Sequence, residues 1–425
     1  MPQSTLTFSV SLDLDHADLG SLDRQVAGAA AEMGRRLLGV VLNKLRDEVE
    51  GLRPAPCRAC GGHLKANGRR SRTLRTLVGE VTFERGRLRC SNCGQERIPL
   101  DEALGLEGRE THTLEVQERC LWLATEMSFA KASGTAMDLR GWQVSHGQIH
   151  QWAQEEGARL ELDVAREQAE MFERGVLQEV ETAPPSLWVS VDGTLVHDRD
   201  RQNMEIKAGM AWSQVATISK GRTQILDRVL YAGVENWEVF SERLVTQLQR
   251  RGLFHAQQVF FVADGAEWIK ALWQRYLPHA TYLLDWFHLL DHLRFGLGHR
   301  HPKLGRALEL ARAGRVKGLL QLLNFCHDRL DDPEQQPRCQ HLIEYVRRNR
   351  EGIENYQVVP LASSGPMEKA IDVLLSRRFK SRGMSWRRPG ARHMVRLRLL
   401  RENRTWDAYW NHRRQAARRL WPVAA

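Results

Sequence analysis

Three acidic residues occupy positions in the sequence that could support metal-dependent chemistry. Asp192 lies within an apolar stretch rich in β-branched residues, Asp264 directly follows the apolar run 259–263, and Glu368 lies in the first turn of a helix that starts near Pro366. Three carboxylates that converge can bind two Mg²⁺ or Mn²⁺ ions about 3.5–4 Å apart, because these hard cations prefer oxygen ligands. The ions activate a water or a 3′-hydroxyl and stabilise the leaving oxygen during in-line attack on a phosphodiester. The three acids therefore predict a phosphoryl-transfer site, provided that the fold brings them together.

Each acid also has a structural explanation. Asp192 is followed by Gly193, a pair that is typical of a hairpin turn. Asp264 could cap the helix that follows it. Glu368 could belong to a capping arrangement in which Gly365 is the N-cap. Because all three acids fall where a single fold would need them, one shared site is favoured over three separate structural roles.

The seven cysteines of the chain supply a second candidate metal site. Four of them form two C-x-x-C pairs, each followed by glycine: Cys57, Cys60, Cys90 and Cys93. Four thiolates can close a tetrahedron around one structural Zn²⁺, with no position left open for a substrate. A single C-x-x-C pair could instead perform thiol redox chemistry, but two pairs that flank a predicted β-hairpin favour a zinc ribbon. The other three are scattered, as expected of small packing residues: Cys120, Cys326 and Cys339.

Composition limits the class of protein. The chain has 425 residues, of which 42% are hydrophobic and 27% charged, and this is typical of a globular protein with more than one domain. No apolar run approaches the length of a membrane span, and the N-terminus lacks a signal-peptide pattern, so the sequence predicts a cytoplasmic protein with no membrane partner. A formal net charge of +10 favours a polyanionic partner.

The elements that must position the acids form a mixed α/β pattern from residue 187 onward. Three predicted strands with short connections are followed by alternating helices and strands, in the order β-β-β-α-β-α-β-α. The predicted strands cover 187–196, 206–219, 224–233, 259–263 and 281–284. This order is typical of an RNase H-like core, a mixed sheet whose first and fourth strands are neighbours. Asp192 and Asp264 would then approach one another, and a helix packed on the sheet would bring Glu368 to the same point.

Two basic segments predict contacts with nucleic acid. The hairpin between the cysteine pairs carries the candidate phosphate-binding residues Arg69, Arg70 and Arg72. The segment 377–419 is rich in lysine and arginine, has Glu402 and Asp407 as its only acids, and contains interleaved tryptophans. Its candidate contacts, which would combine charge with aromatic stacking, are Arg377, Arg378, Lys380, Arg382 and Trp386. The alternatives are a solvated basic face for the hairpin and an ordinary amphipathic helix for the second segment.

The N-terminal part is predicted to be helical on either side of the cysteine hairpin. Residues 31–46 have apolar residues at helical spacing, and this helix either packs on its neighbour or mediates self-association. Residues 128–157 predict helix, turn and helix, with the turn at Gly141–Trp142 and Ser145 as the cap of the second helix. Such a helix-turn-helix could enter a DNA major groove, although helical hairpins without this role are common.

Changes of pattern along the chain predict seven segments. They are an N-terminal helical segment (1–50), a zinc ribbon (51–108), a helical DNA-binding region with a spacer (109–182), the first part of the core (183–299), a helical insertion (300–355), the final core helix with Glu368 (356–400) and a basic tail (401–425). The boundary near residue 183 follows from Ala183-Pro184-Pro185, which ends a charged helix. The insertion is predicted because that stretch is charged, helical in pattern and without a strand pattern.

The motifs around the acids resemble those of the DDE transposases of bacterial insertion sequences, nearest in pattern to the ISKra type and its ISLre-type and Mutator-like relatives. The resemblance covers roughly residues 50–400, and its C-terminal block is the most specific part. The matching stretches are Val191-Asp192-Gly193, Val262-Ala263-Asp264-Gly265-Ala266, Leu284-Asp285-Trp286-Phe287-His288, Ser364-Gly365-Pro366-Met367-Glu368, Arg378-Phe379-Lys380 and Gly383-Met384-Ser385-Trp386.

This resemblance implies an enzyme that binds the ends of an insertion element and uses Mg²⁺ to cleave and join DNA strands. Asp192, Asp264 and Glu368 would form its catalytic triad, and Asp285 and His288 would form a supporting D-x-x-H element. It also implies double-stranded element ends and target DNA as partners, action as a homo-oligomer, and a location with the nucleoid in the bacterial cytoplasm. The sequence leaves two alternatives open: a non-catalytic DNA-binding regulator with a zinc ribbon, and an RNase H-like nuclease without joining activity.

Overall fold

The computed structural model describes residues 7, 9, 11 and 18–418, with gaps at 53, 107, 109, 178, 181–182, 202, 220–221, 331 and 360–364. Most of the segment before residue 18, Ser364 of the C-terminal motif and residues 419–425 of the predicted tail therefore lie outside the described residues. The chain divides into two units. Met1–Trp152 and Thr405–Ala425 form what we call the N-terminal unit, and Ala153–Arg404 form what we call the sheet unit.

The N-terminal unit contains a long helix and a small antiparallel sheet. Helix α1 (Leu19–Gly51) extends the predicted 31–46 in both directions, and it begins where the Asp18 carboxylate accepts the Ser21 N–H at 3.0 Å. Strands β1 (Leu64–Thr76), β2 (Gly79–Cys90) and β3 (Glu96–Arg97) lie side by side in that order, which confirms the predicted hairpin. A small core joins helix and sheet: Leu42, Leu74, Val81, Phe83 and Leu100.

Four helices follow: α2 (Pro99–Leu104), α3 (Leu114–Glu126), α4 (Phe129–Arg140) and α5 (His146–Phe172). Of these, α4 and α5 confirm the helix, turn and helix predicted for residues 128–157. Gly141 ends α4 in the left-handed conformation, with φ of 65°. The Ser145 hydroxyl then accepts the Gln148 N–H at 3.1 Å, as predicted for the start of α5.

Most of the described part of the predicted basic tail is a folded helix, Trp406–Arg418, whereas residues 401–402 end the helix before it. Its Trp410 is fully buried, and its Arg414 bonds to Glu118 on α3. Trp406 packs edge-to-face against Trp122, with the ring centroids 5.2 Å apart. The structure thus corrects the prediction that the interleaved tryptophans of segment 377–419 stack on nucleic acid, because Trp406 and Trp410 are buried inside the N-terminal unit.

The sheet unit is organised around a five-stranded mixed sheet. Its strands are β4 (Ser186–Val196), β5 (Met204–Trp212), β8 (Val229–Gly233), β9 (Gln258–Ala263) and β10 (Thr281–Leu284), in the order β10-β9-β4-β5-β8. Strands β4, β5 and β8 are antiparallel neighbours, whereas β9 is parallel to both β4 and β10. The first and fourth strands of the predicted order, β4 and β9, are therefore adjacent, as expected.

Two predicted strands are each broken in the structure. The segments 206–219 and 224–233 contribute β5 and β8 to the main sheet, but also β6 (Val215–Ser219) and β7 (Arg222–Ile225), which form a separate hairpin. The break has a local cause: the Asp227 carboxylate accepts the N–H groups of Ser213 at 3.1 Å and Gln214 at 2.8 Å. These bonds satisfy amides that would otherwise continue the ladder. Apart from this added hairpin, the predicted order of elements is confirmed.

Helices surround the sheet and fill the predicted insertion. Between the strands lie α6 (Trp237–Gln249), α7 (Glu267–Tyr276) and α8 (Trp286–Leu297). The insertion consists of α9 (Leu304–Arg312), α10 (Val316–His327), α11 (Gln335–Arg348), α12 (Arg350–Glu354) and a 3₁₀ turn, Asn355–Gln357. After it come α13 (Gly365–Ile371), a π-helical turn (Asp372–Ser376), α14 (Arg377–Phe379) and α15 (Arg388–Glu402). Within the described residues, no helix combines the length and apolar composition needed to cross a bilayer.

Part of the predicted basic stripe is buried in the sheet unit. Arg396 of α15 donates to Glu161 at 2.7 Å, to the Ala232 carbonyl at 2.9 Å and to the Tyr231 hydroxyl at 2.9 Å. Arg243 of α6 bonds the same Glu161 at 2.5 Å. For Arg396 the structure therefore corrects the prediction that the basic segment 377–419 contacts nucleic acid, because this arginine closes an internal ion-pair network.

Candidate functional site

The register of the sheet brings two of the predicted acids to one place. Strands β4 and β9 run parallel and pair Ser190 with Val262, and the Ser190 hydroxyl donates to the Val262 carbonyl at 3.0 Å. Asp192 lies two residues after Ser190, and Asp264 lies two residues after Val262. Since side chains repeat every two residues along a strand, the pairing carries both carboxylates to the same edge of the β4–β9 pair.

Asp192 lies inside a strand and not in a turn. It pairs with Ala208 of β5 in an unbroken antiparallel ladder, which excludes the hairpin-turn alternative. Burial raises the pKa of its carboxyl to about 6, and repulsion from Asp264 and Glu368 adds to the increase. The Gly193 N–H, donated to the carboxylate at 2.6 Å, and the nearby His288 act in the opposite direction. Asp192 is therefore a half-buried carboxylate in a field of other acids.

Asp264 shapes the turn between β9 and α7. Its carboxylate accepts the Ala266 N–H at 2.8 Å, and its own carbonyl accepts the Tyr345 hydroxyl at 2.7 Å. Gly265 between them has φ of +89°, a conformation that favours glycine. Helix α7 starts only at Glu267, and its N-cap, Ala266, makes no side-chain capping bond. The capping alternative thus becomes an Asx turn, which leaves Asp264 beside Asp192.

Glu368 reaches the site from α13, which packs against β4 and β5. Its Oε1 lies 4.0 Å from Nε2 of His288, and both side chains are partly exposed. Its influence on the Asp192 carboxyl places it within electrostatic range of that aspartate. Glu368 lies in the first turn of α13, as predicted, but the residue before Gly365 lies outside the described chain, so its capping alternative stays a prediction.

Asp285 and His288 have different roles. The Asp285 carboxylate is fully buried and caps α8 by accepting the backbone N–H of His288 at 2.7 Å. The Asp285 N–H donates to the Ala263 carbonyl at 2.7 Å, which ties the ends of β10 and β9 together. Asp285 therefore fixes the start of α8, and this places the His288 imidazole next to Glu368.

The three carboxylates do not form a compact cluster, whereas the four cysteines do. Among the described residues, Cys57, Cys60, Cys90 and Cys93 form a cluster whose ligand atoms all lie within 4.8 Å of one another, and the three acids do not reach that spacing. Repulsion between like charges disfavours a closer approach of the three carboxylates.

The four cysteines form a candidate metal centre at one end of the β1–β2 hairpin. The sulfur atoms of Cys57 and Cys93 lie 3.6 Å apart, and those of Cys60 and Cys90 lie 3.5 Å apart. Backbone N–H groups of Cys93 and Asn92 lower the pKa of the Cys90 thiol to about 6. Because all four sulfur atoms lie within 4.8 Å of one another, this cluster could hold a metal ion such as zinc, and the predicted ligand set is brought together.

Comparison with known proteins provides the family. Residues 16–414 match the profile of the group described as "Uncharacterised protein family (UPF0236)". The chain belongs to the UPF0236 family. A similar protein is the "UPF0236 protein in vanSb 3'region" of Streptococcus gallolyticus, which is 25% identical over 352 residues, covering 80% of this chain and 75% of the relative.

The predicted DNA contacts of this UPF0236 chain divide into exposed and buried residues. Arg72 is buried against Asp101, 2.9 Å away, because it lies on the face of the hairpin that packs inward. Arg378 is buried and stacks over Trp386, with 4.7 Å from the guanidinium carbon to the ring centroid, and Trp386 itself is 7% exposed. These three side chains are structural in this conformation, which is a correction to their proposed contacts. The exposed members are Arg69, Arg70, Arg377, Lys380 and Arg382.

A backbone bridge connects one basic segment with the end of β4. The Trp386 N–H donates to the His197 carbonyl at 3.1 Å, and the Arg199 N–H donates to the Trp386 carbonyl at 2.8 Å. The turn that carries Lys380 and Arg382 therefore leads directly into a segment paired with the residues just after β4, the strand of Asp192.

Sequence reasoning missed two residues that contact the site. Tyr345 and Asn349 lie at the end of α11, in the helical insertion, and both contact the turn that carries Asp264. Their spacing from Asp264 is about eighty residues. No local pattern marks them, since a tyrosine at helical spacing predicts only a core position.

Proposed function

We propose that this chain is a DDE-type transposase that cleaves and joins DNA strands at the ends of an insertion element. The observation that carries the proposal is the parallel register of β4 and β9, which aligns Asp192 with Asp264 while α13 brings Glu368 within electrostatic range. The order of strands and helices in the sheet unit supports an RNase H-like core. Fold alone does not give an activity, so the three acids and not the sheet carry the argument.

The donor set fits hard divalent cations. All three side chains offer oxygen, and the carboxyl of Asp192 has a pKa raised to about 6 by burial and by its acidic neighbours. Such a site would gain stability from a cation between the carboxylates. Mg²⁺ or Mn²⁺ bound there would supply an activated hydroxyl nucleophile and charge stabilisation at the leaving oxygen.

The residues around the acids supply orientation. His288 lies 4.0 Å from Glu368 and, when protonated, would hold that carboxylate by charge. The capping bond from Asp285 to the His288 N–H fixes the helix end from which the imidazole projects. We therefore assign His288 to a supporting role beside Glu368 and Asp285 to the positioning of His288.

Exposed basic residues support a polyanionic substrate. Lys380 and Arg382 lie on the turn that precedes the His197–Trp386 bridge, so their charge is close to the end of β4. In the N-terminal unit, Arg69 and Arg70 lie exposed on the hairpin that ends in the cysteine cluster. A zinc ribbon with exposed arginines is suited to phosphate contacts, which fits binding of element ends.

The test is a strand-transfer assay with Mg²⁺ on oligonucleotides that carry any inverted repeats found on either side of the reading frame. We expect Asp264→Asn and Glu368→Gln each to lower cleavage and joining by more than about 100-fold, because a metal site contributes several kcal/mol to the transition state. Asp372→Asn is the matched control: this exposed acid lies one turn after Glu368, pairs with Arg377, and should keep wild-type rates.

Three outcomes would overturn the proposal. Wild-type rates in both triad variants, with DNA binding intact, would exclude the acids as ligands. Cleavage without joined products would identify a nuclease. DNA binding that is indifferent to Mg²⁺, with neither cleavage nor joining, would identify a regulator.

A further inference from the structure

The helical insertion contacts the loop that carries Asp264. Tyr345, near the end of α11, is buried, and its hydroxyl donates to the Asp264 carbonyl at 2.7 Å. This is a direct hydrogen bond from the insertion to the backbone of a predicted metal ligand. It constrains the peptide plane that follows Asp264, and with it the direction of the turn.

Asn349 completes the contact one helical turn later. Its side chain is fully buried, donates to the Tyr345 carbonyl at 3.1 Å and accepts the Tyr282 hydroxyl at 3.3 Å. It also lies over Gly265, where an added Cβ would stand 2.7 Å from Nδ2 of Asn349. The turn after Asp264 thus fits against a surface that tolerates only glycine at its centre.

The same stretch of the insertion also contacts the neighbouring strand. Asn355 donates to the Tyr282 carbonyl at 2.8 Å, and the Tyr356 hydroxyl donates to the Leu284 carbonyl at the end of β10. Asn355 and Tyr356 thus bond the backbone of β10, the strand that Asp285 follows. Only Tyr345 and Asn349 contact the turn after β9, and we call these two residues the strand-end clamp.

A carboxylate that must stand next to other carboxylates needs such a restraint. Asp264 lies close enough to raise the pKa of Asp192, so the two groups repel at neutral pH. The turn that carries Asp264 contains a glycine with positive φ, and a free turn of this kind would let the side chain rotate toward water. Neighbouring groups that fix a ligand's orientation commonly determine how well a metal site binds.

We propose that Tyr345, supported by Asn349, is a positioning residue that holds the Asp264 turn so that its carboxylate faces Asp192. The helical insertion is then part of the geometry of the site and not a separate module. The consequence for cation binding rests on the proposed function, whereas the restraint on the turn does not. Tyr345 touches no reacting atom in this arrangement, because its hydroxyl is used by the Asp264 carbonyl.

The first measurement is amide hydrogen exchange of the full-length protein without added Mg²⁺. Tyr345→Phe removes one oxygen and keeps the buried ring. We expect exchange at Ala266, whose N–H is bonded to the Asp264 carboxylate, to become about tenfold faster, the change that corresponds to loss of one hydrogen bond of ordinary strength. The second measurement is Mn²⁺ binding followed by electron paramagnetic resonance, where we expect the Kd to rise about five- to tenfold.

Tyr356→Phe is the matched control. It also removes a buried hydroxyl that donates to a strand-end carbonyl, but that carbonyl belongs to Leu284 and not to the Asp264 turn. Exchange at Ala266 and Mn²⁺ affinity should stay as in the wild type. Unchanged exchange at Ala266 in Tyr345→Phe, or an equal acceleration in both variants, would overturn the positioning role.

The exchange measurement separates this inference from the proposed function. If Asp264→Asn keeps strand transfer while Tyr345→Phe accelerates exchange at Ala266, the clamp stands and the transposase proposal fails. If Asp264→Asn abolishes strand transfer while Tyr345→Phe leaves exchange unchanged, the clamp fails and the transposase proposal stands.

Discussion

The burial of Asp192 beside other acids makes its ionised carboxylate unfavourable for the stability of the fold. Its carboxyl is partly buried within β4 beside two further acids, and its pKa rises from 3.8 to about 6. A carboxyl with a raised folded-state pKa stabilises the fold below its unfolded pKa, and this contribution is lost as the pH rises through the folded pKa. Above pH 6 the folded protein therefore holds a carboxylate that would be better solvated in the unfolded chain.

We predict that Asp192→Asn stabilises the sheet unit at pH 8 in buffer without added Mg²⁺. The gain should be on the order of 3 kcal/mol, since the pKa shift is about two units, and it should vanish below about pH 4. Urea unfolding at pH 4, 6 and 8 measures it. Asp291→Asn, which removes an exposed acid on α8, is the control and should change little at any pH. Equal stability of Asp192→Asn and the wild type at pH 8 would contradict the burial argument.

At the scale of elements, the β1–β2 hairpin depends on two different supports. A cluster of five buried apolar residues packs the turn end against α1, whereas the other end carries the four cysteines. Such a small core contributes only a few kcal/mol, and small folds of this kind commonly need a metal. A metal ion held by the four cysteines would therefore stabilise the cysteine end of the hairpin.

We predict that Cys90→Ser lowers the bound zinc from one ion per chain and loosens residues 57–93. Elemental analysis gives the stoichiometry, and amide exchange over this range gives the loss of order. Cys326→Ser is the control: Cys326 is buried in the helical insertion, away from the cluster, and should leave the zinc content at one. Unchanged exchange over residues 57–93 after loss of the metal would show that the ion is not structural.

At the scale of the whole molecule, the sheet unit is held together by a buried ion-pair network as well as by its apolar core. Arg396 and Arg243 share Glu161, and both approach Glu235 at 3.3 Å. The network joins α5, α6, α15 and the end of β8. Removal of one partner of a buried pair leaves an uncompensated charge, and this costs more than the pair contributed.

We predict that Arg396→Met destabilises the sheet unit by about 3–5 kcal/mol, because Glu161 and Glu235 lose their main counter-charge. Denaturant unfolding followed by tryptophan fluorescence measures the change. Arg387→Met removes an exposed arginine one residue before α15 and should stay within about 0.5 kcal/mol of the wild type. Equal losses of unfolding free energy in the two variants would contradict a stabilising role of the buried Arg396 network.

The sequence by itself determined the features that depend on short-range pattern. The order of strands and helices followed from hydrophobic periodicity, and the cysteine cluster followed from two C-x-x-C pairs around a hairpin. The neighbouring positions of Asp192 and Asp264 followed from the strand order that this pattern implies. The helical character of the insertion was predictable because that stretch is charged, helical in pattern and without a strand pattern.

Only the tertiary structure decided which side chains are exposed to solvent and which are buried against partners. Arg72 and Arg396 look like surface residues in the sequence, but their partners Asp101 and Glu161 lie 29 and 235 residues away along the chain, and both arginines are buried. Tyr345 likewise became part of the site through a bond that spans 81 residues. Composition and periodicity indicate which residues can be buried or can bind a ligand. Contacts between distant segments decide which residues are in fact buried, because burial and charge pairing depend on neighbours that the local sequence does not contain.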